Sequence, residues 1–257
     1  ACAVFLPILS GGMRHGLVAA GSAPQMRGRS EYWGQGVVYR LYGAADFANL
    51  AVQIALEELG QPYEAVFLDA EAGALKSPEH LARHPLGLVP VLETPDGMLF
   101  ETAAILLWLA DRHGALAPAP DAAARGRFLT WFVFTNNSIH AAAMDLLHPQ
   151  RAAGEAHRLP VATAAHARLR ERLALLDGVA RDRPDWLSPD RPGILGIYLS
   201  MLLRWIRLFP AFAQHAISLR DFPALHAIAA ACESRPATLR VAPAHGLAGR
   251  FLSDPVG

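Results

Sequence analysis

Apolar and polar positions along this chain change their period near residue 115. Val37 to Tyr42 alternates and reads as a strand. Asn49 to Leu59 reads as a helix with Leu50, Ile54 and Leu59 among its apolar positions, and Gly60 and Pro62 are its stop signals. Glu64 to Leu68 is a second strand, and Pro78 to Arg83 a short helix. Val89-Pro90 opens the apolar run Val91-Leu92; proline cannot donate to a ladder, so it belongs at a strand start or edge. Pro95-Asp96-Gly97 is a turn: a fixed φ, a side-chain acceptor, then a residue free to take positive φ. A helix follows from Glu101-Thr102, with Ile105, Trp108 and Leu109 at helical spacing. The order is β-α-β-α-β-β-α, a small α/β sandwich.

After Gly114 the pattern changes. GALAPAPD is a Pro/Ala-rich linker, and beyond it the spacing is helical almost to the end, with stops at Pro149, Pro184, Pro192, Pro210 and Pro236. The expected organisation is a loose extension over 1–36, an α/β domain over 37–114, a linker over 115–120, an all-helical domain over 121–240 and a tail over 241–257. The extension opens on the apolar patch ACAVFLPILS; no basic segment precedes it and Arg14 and His15 follow it, which favours a loose tail over a signal peptide.

Composition narrows the function. The chain has 257 residues, 53% hydrophobic, with a formal net charge of +0 and a pI of about 7.4. No electrostatic footprint for nucleic acid or an anionic membrane follows. Leu195 to Leu203 is strongly apolar, but Arg204 and Arg207 end the run short of the roughly 20 residues that a span requires. Cys2 and Cys232 define neither a disulfide framework nor a CxxC motif, which suits a reducing cytoplasm. His80 and His84 stand four apart without a third ligand, so no metal site is expected.

The segment from His84 to Asp111 carries the chemistry. An X-Pro bond at a strand mouth is a candidate for cis, which presents the preceding residue's amide and carbonyl as free hydrogen-bonding groups. The helix start at Glu101-Thr102 offers unpaired amides and a positive dipole end to a carboxylate. Thr102 also reads simply as an N-cap. A peptide-like edge beside an anion seat suits a small peptide carrying carboxylates.

HPLGLVPVL, PDG, ET and WLA stand in the order and spacing of the glutathione-binding half of the cytosolic glutathione transferases. The chain resembles that family, with the loop GAADFANLAVQIALEE similar to the start of bacterial beta-class members. The resemblance runs from Val37 to about Arg235. It implies a thioredoxin-like N-terminal domain followed by an all-α domain, glutathione as co-substrate, a small hydrophobic electrophile as second substrate, and a homodimer. It implies that Val89 and Pro90 pair with the cysteinyl part of glutathione, that Thr102 holds the γ-glutamyl carboxylate and that Glu101 takes the ammonium. Phe47 and Met144 are the expected lining of the electrophile pocket.

The chain departs from the family at three places. Leu88 stands where many relatives place Lys or Gln. Positions 43 to 53 hold no Ser, Thr, Cys or Tyr, so the usual activator of the glutathione thiol is missing. Alignment on IALEE puts Ala48 at the beta-class cysteine and Asn49 beside it; Asn49 is a candidate thiol donor or an N-cap, with Tyr42 as a fallback that belongs more naturally to the strand. His140 is the second candidate, since Asn136, His140 and Met144 share a helix face at i, i+4 and the family places a His-Lys pair here; its alternative is a packing role. Gly193 and Gly196 replace the Ser/Thr-x-x-Asp helix cap of relatives, so that helix start is expected to be weak. Three functions compete: a transferase, a non-catalytic binding protein of the same fold, and a thiol oxidoreductase. The missing loop cysteine argues against the last.

Overall fold

The computed structural model describes residues 39–255. The expected extension over 1–36, the first residues of the first strand and Cys2 lie outside the described residues. The N-terminal unit is built from β1 (Tyr39–Gly43), α1 (Asn49–Glu58), β2 (Tyr63–Phe67), α2 (Pro78–Arg83), β3 (Val91–Thr94), β4 (Gly97–Phe100) and α3 (Thr102–His113). Its four-stranded sheet has the order β2-β1-β3-β4, with β1 parallel to β2 and antiparallel to β3. Thr94 pairs with Gly97 across the Pro95-Asp96 turn, as the turn chemistry requires. This is a thioredoxin-like α/β fold.

Helices follow: α4 (Arg125–Phe134), a π-helical segment (Thr135–His140), α5 (Ala141–Leu147), α6 (Gln150–Ala153), α7 (Arg158–Arg181), α8 (Ile194–Leu208), α9 (Pro223–Glu233) and α10 (Pro236–Val241), with a 3-10 turn at Ala242–His245. The expected helix over TNNSIHAAAMDLL is present, but its first half is wound as a π turn.

α8 forms the centre of the molecule. Every residue from Ile194 to Ile206 is buried. A helix apolar on all sides must be covered on all sides. α1 and α3 cover it from the N-terminal unit, and α5 and α9 from the helical one. Leu50, Ile54, Ile105, Leu109, Tyr198 and Leu202 belong to one continuous core. Each fully buried leucine or isoleucine contributes about 1.5–3 kcal/mol.

No side chain caps the start of α8, as its glycines lead one to expect. The amide of Ile194 donates to the carbonyl of Leu116 at 2.9 Å. A backbone group from the connecting segment supplies the cap that the local sequence lacks. Gly193 is required by the same contact, because a Cβ there would lie 2.4 Å from the Leu116 oxygen. Asp177 of α7 does a similar service for α9, accepting from the amides of Ala224 at 2.8 Å and Leu225 at 3.1 Å.

Gly193→Ala therefore forces the connecting segment off the helix start. The expected loss is roughly 1–3 kcal/mol, seen as a fall in Tm of about 3–10 °C by thermal denaturation. An unchanged Tm would show that Leu116 does not cap α8.

Candidate functional site

One wall of the site is the loop from α2 to β3. Ser77 caps α2, its Oγ accepting from the His80 amide at 3.2 Å. His80 is buried and donates through Nε2 to the Leu88 carbonyl at 2.9 Å. Lys76 Nζ donates to the Leu86 carbonyl at 2.6 Å, and His84 Nδ1 accepts from the Leu86 amide at 3.1 Å. Gly87 sits at φ 57°, and a Cβ there would lie 2.3 Å from the Leu75 oxygen. These contacts fix the approach to Val89-Pro90, whose peptide bond is cis. The Val89 amide and carbonyl make no hydrogen bond among the described residues. His80 and His84 thus hold backbone, and no group of three or more metal-ligating side chains occurs among the described residues. Leu88 is exposed.

The second element is the start of α3. Glu101 occupies the cap position at φ 72° and ψ 114°, and no side chain caps the first amides. Thr102 is the buried first residue of the helix, which corrects its reading as an N-cap. A non-glycine residue at positive φ costs about 1–2 kcal/mol. Such residues persist where their surroundings over-determine them, and they cluster at ligand sites.

Glu101 faces the π turn. With Asn136, Asn137, His140, Ala141 and Met144 it lines a cleft of about 340 Å³. The i, i+4 reading of Asn136, His140 and Met144 as one face agrees with this lining, even though the turn is π-wound; such turns are frequent at functional sites. Tyr198 of α8 donates its hydroxyl hydrogen to Asn136 Oδ1 at 2.9 Å and lies 2.5 Å from His140 Nδ1. A phenol carries one hydrogen, so His140 Nδ1–H donates to the Tyr198 oxygen and Nε2 is left as an acceptor. Nε2 has no partner among the described residues. Burial lowers the His140 pKa to about 4, and burial raises that of Tyr198. His140 is neutral at physiological pH. Sequence reasoning missed Tyr198, although a lone tyrosine inside the apolar run GILGIYLSMLL has a hydroxyl that must find a partner.

The third element is the loop between β1 and α1. Ala48, not Asn49, occupies the cap position of α1, which corrects the capping alternative. Asn49 is 1% exposed, and its Oδ1 accepts from the Ala44 amide at 3.0 Å. Gly43 makes room for it, since a Cβ at 43 would meet Asn49 Cγ at 2.2 Å. Asn49 Nδ2 and the backbone amides of Ala48 and Asn49 have no partner among the described residues. Phe47 is half-buried and does not line the cleft. Tyr42 is buried in β1, its hydroxyl donating to Glu93 Oε2 at 2.9 Å. The structure therefore brings together Glu101, Asn136, His140 and Met144 around one cleft, with Phe47 outside that lining.

A family model for the glutathione S-transferase N-terminal domain matches residues 37–111. A maleylacetoacetate isomerase of Rhizobium meliloti is 37% identical over 122 residues, 46% of this chain and 47% of that protein. A glutathione S-transferase of Xanthomonas campestris is 29% identical over 65% of this chain and 81% of its own length. The solved structure of a sphingomonad glutathione S-transferase complexed with glutathione is 31% identical, with a TM-score of 0.64, and covers 81% of this chain and 100% of its own. The chain belongs to the glutathione transferase family. Its match spans about half the length of the isomerase, and 35% of a maize glutathione S-transferase that is 44% identical over 75 residues.

Three histidines, His140, His148 and His245, have pKa values lowered to about 4, in each case chiefly by burial. The unfolded chain protonates them near pH 6.5. Their contribution to stability is present above pH 6.5 and is lost as pH falls from there to about 4. At pH 5.5 each is expected to cost about 1 kcal/mol. Urea midpoints measured at pH 7.5, 6.5 and 5.5 should decline in that order. A flat profile would place these rings in water.

Proposed function

We propose that this chain binds glutathione and conjugates it, through its thiolate sulfur, to a hydrophobic electrophilic small molecule. The carrying observation is the Val89 backbone, unpartnered among the described residues, at the mouth of β3, which pairs with β4 just before the uncapped start of α3, and the Glu101 there that lines a cleft with His140 and Met144. Val89 pairs with the cysteinyl backbone of glutathione. Thr102 and the first amides of α3 take the γ-glutamyl carboxylate, and Glu101 takes its ammonium. The sulfur lies at the start of α1. A free thiol has a pKa of about 8.5. Donors and a positive helix end lower it, and here these are the amides of Ala48 and Asn49 with Asn49 Nδ2. His140 is neutral, so it contributes a hydrogen-bonding wall for the electrophile rather than a positive charge. The protein works as a homodimer.

A second reading, a glutathione-binding protein without turnover, is favoured by one observation: the loop over 43–53 holds no hydroxyl or thiol, and Asn49 is almost wholly buried. The oxidoreductase reading has no support among the described residues. Cys232 is 1% exposed behind α8, and burial pushes its thiol up to about 12.

Calorimetry with glutathione and a conjugation assay with an aryl halide test the two readings. Glu101→Ala should weaken glutathione binding by about 1.5–3 kcal/mol, the worth of a charge-assisted hydrogen bond. Unchanged affinity in the folded variant removes Glu101 from the site. Asn49→Asp keeps the acceptor for Ala44 and removes the Nδ2 donor. It should lower conjugation and raise the apparent pKa of the bound thiol. Glutathione that binds the parent but titrates there as it does in water, with no electrophile consumed, would establish the non-catalytic reading.

A further inference from the structure

The loop between β1 and α1 is held from outside its own unit. Asp46 sits in this loop at φ 58°. Its carboxylate receives two nitrogens of Arg204 of α8, Nε to Oδ1 at 2.9 Å and Nη2 to Oδ2 at 2.6 Å. Its carbonyl accepts from Trp205 Nε1 at 3.2 Å. Its amide donates to Nδ1 of His245 at 3.0 Å. The other nitrogen of His245 donates to Gln53 Oε1 of α1 at 2.9 Å. Arg204 also donates through Nη1 to the carbonyl of Phe251 at 2.9 Å. Every polar group of Asp46 is thus bonded to α8 or to the segment after α10. The sharp turn it makes delivers the chain to Ala48 and Asn49.

We infer that His245 is a positioning residue for the sulfur seat at the start of α1, acting through its bond to the Asp46 amide. This rests on the transferase reading. The ring must accept at Nδ1 and donate at Nε2, which only the neutral form does. Burial supports that form, lowering the pKa to about 4. The charged groups near the ring are Asp46 and Arg204, which pair with one another. Glu57 and Arg240 pair at the far end of the Gln53–Tyr63 chain of hydrogen bonds. Phe67 stacks edge-on at 5.2 Å. A protonated ring would lose its acceptor and release the Asp46 amide.

Three variants separate positioning from simple stability. His245→Ala removes both bonds. His245→Asn keeps an acceptor near the Nδ1 position. His245→Gln keeps a polar group near the Nε2 position only. Hydrogen exchange of residues 44–48 and conjugation kinetics are measured on each at pH 7.5. In His245→Ala the Asp46 amide should exchange faster and kcat should fall roughly 10- to 100-fold, with little change in KM for glutathione, because a misplaced seat costs the thiolate rather than the peptide contacts. The apparent pKa of the bound thiol should rise. His245→Asn should recover most of kcat and protection, and His245→Gln should not. Equal losses in Asn and Gln, tracking Tm, would overturn the inference in favour of packing alone. So would an unprotected loop with unchanged kcat, or unchanged protection in His245→Ala. Failure of the wild-type protein to bind or conjugate glutathione is a different result: it overturns the transferase reading, and the inference with it, before any variant is compared.

Discussion

The burial of α8 on every side is the constraint on which the rest of the structure depends. A helix with no solvated face cannot be satisfied by one layer of neighbours, so both halves of the chain must close over it. This explains why the α/β unit and the helices share one core. It also sets a condition at the end of the helix. Arg204 is 8% exposed, and an arginine so placed requires a carboxylate and further acceptors. It finds Asp46 and the Phe251 carbonyl. A residue whose charge marks the end of an apolar run in the sequence is, in the fold, what ties the first loop to the helical half.

Polar satisfaction at a distance recurs throughout the molecule. α8 is capped by the Leu116 carbonyl, α9 by Asp177, and the turn before α1 by Asn49 and His245. In each case the helix's own flanking residues supply no capping side chain. Orphan amides at a buried helix start must still be paired. For α8 and α9 the partner comes from a residue remote in sequence; the turn before α1 is held by Asn49 from the helix it enters and by His245 from far along the chain. At the start of α3 no side chain caps the first amides, beside a residue held at positive φ, and the amides of Ala48 and Asn49 before α1 are likewise without a partner among the described residues; these two starts frame the candidate ligand site.

The cleft is not purely apolar: Glu101, Asn136, Asn137 and His140 line it beside Ala141 and Met144. The chain His140–Tyr198–Asn136 fixes one imidazole tautomer, and burial favours the neutral ring. A neutral ring with a free acceptor can take a hydrogen bond; it does not lower a thiol pKa by its charge. In the proposed transferase, stabilising the sulfur falls to the start of α1, whose preceding loop is held by Asp46 and its partners.

The sequence by itself determined the elements and the backbone part of the site. Strand alternation, the Pro95-Gly97 turn, the helix from Thr102 and the proline at the mouth of β3 are local patterns with local causes, and the structure shows each of them. So is the face shared by Asn136, His140 and Met144, which needs only helical spacing. The sequence did not determine which polar groups would be spent on one another. Asn49 read as a thiol donor or a cap, and its side-chain oxygen holds a loop amide. Thr102 read as a cap and is the first helical residue. Phe47 read as pocket lining; it is half-buried and is not among the residues around the cleft of Glu101, His140 and Met144. Nothing local says whom Tyr198, Arg204 and His245 will meet, because their partners lie 47 to 199 residues away in sequence. Hydrogen-bond partners between distant elements are fixed by how those elements pack, and packing around a helix buried on all sides exists only in the tertiary structure.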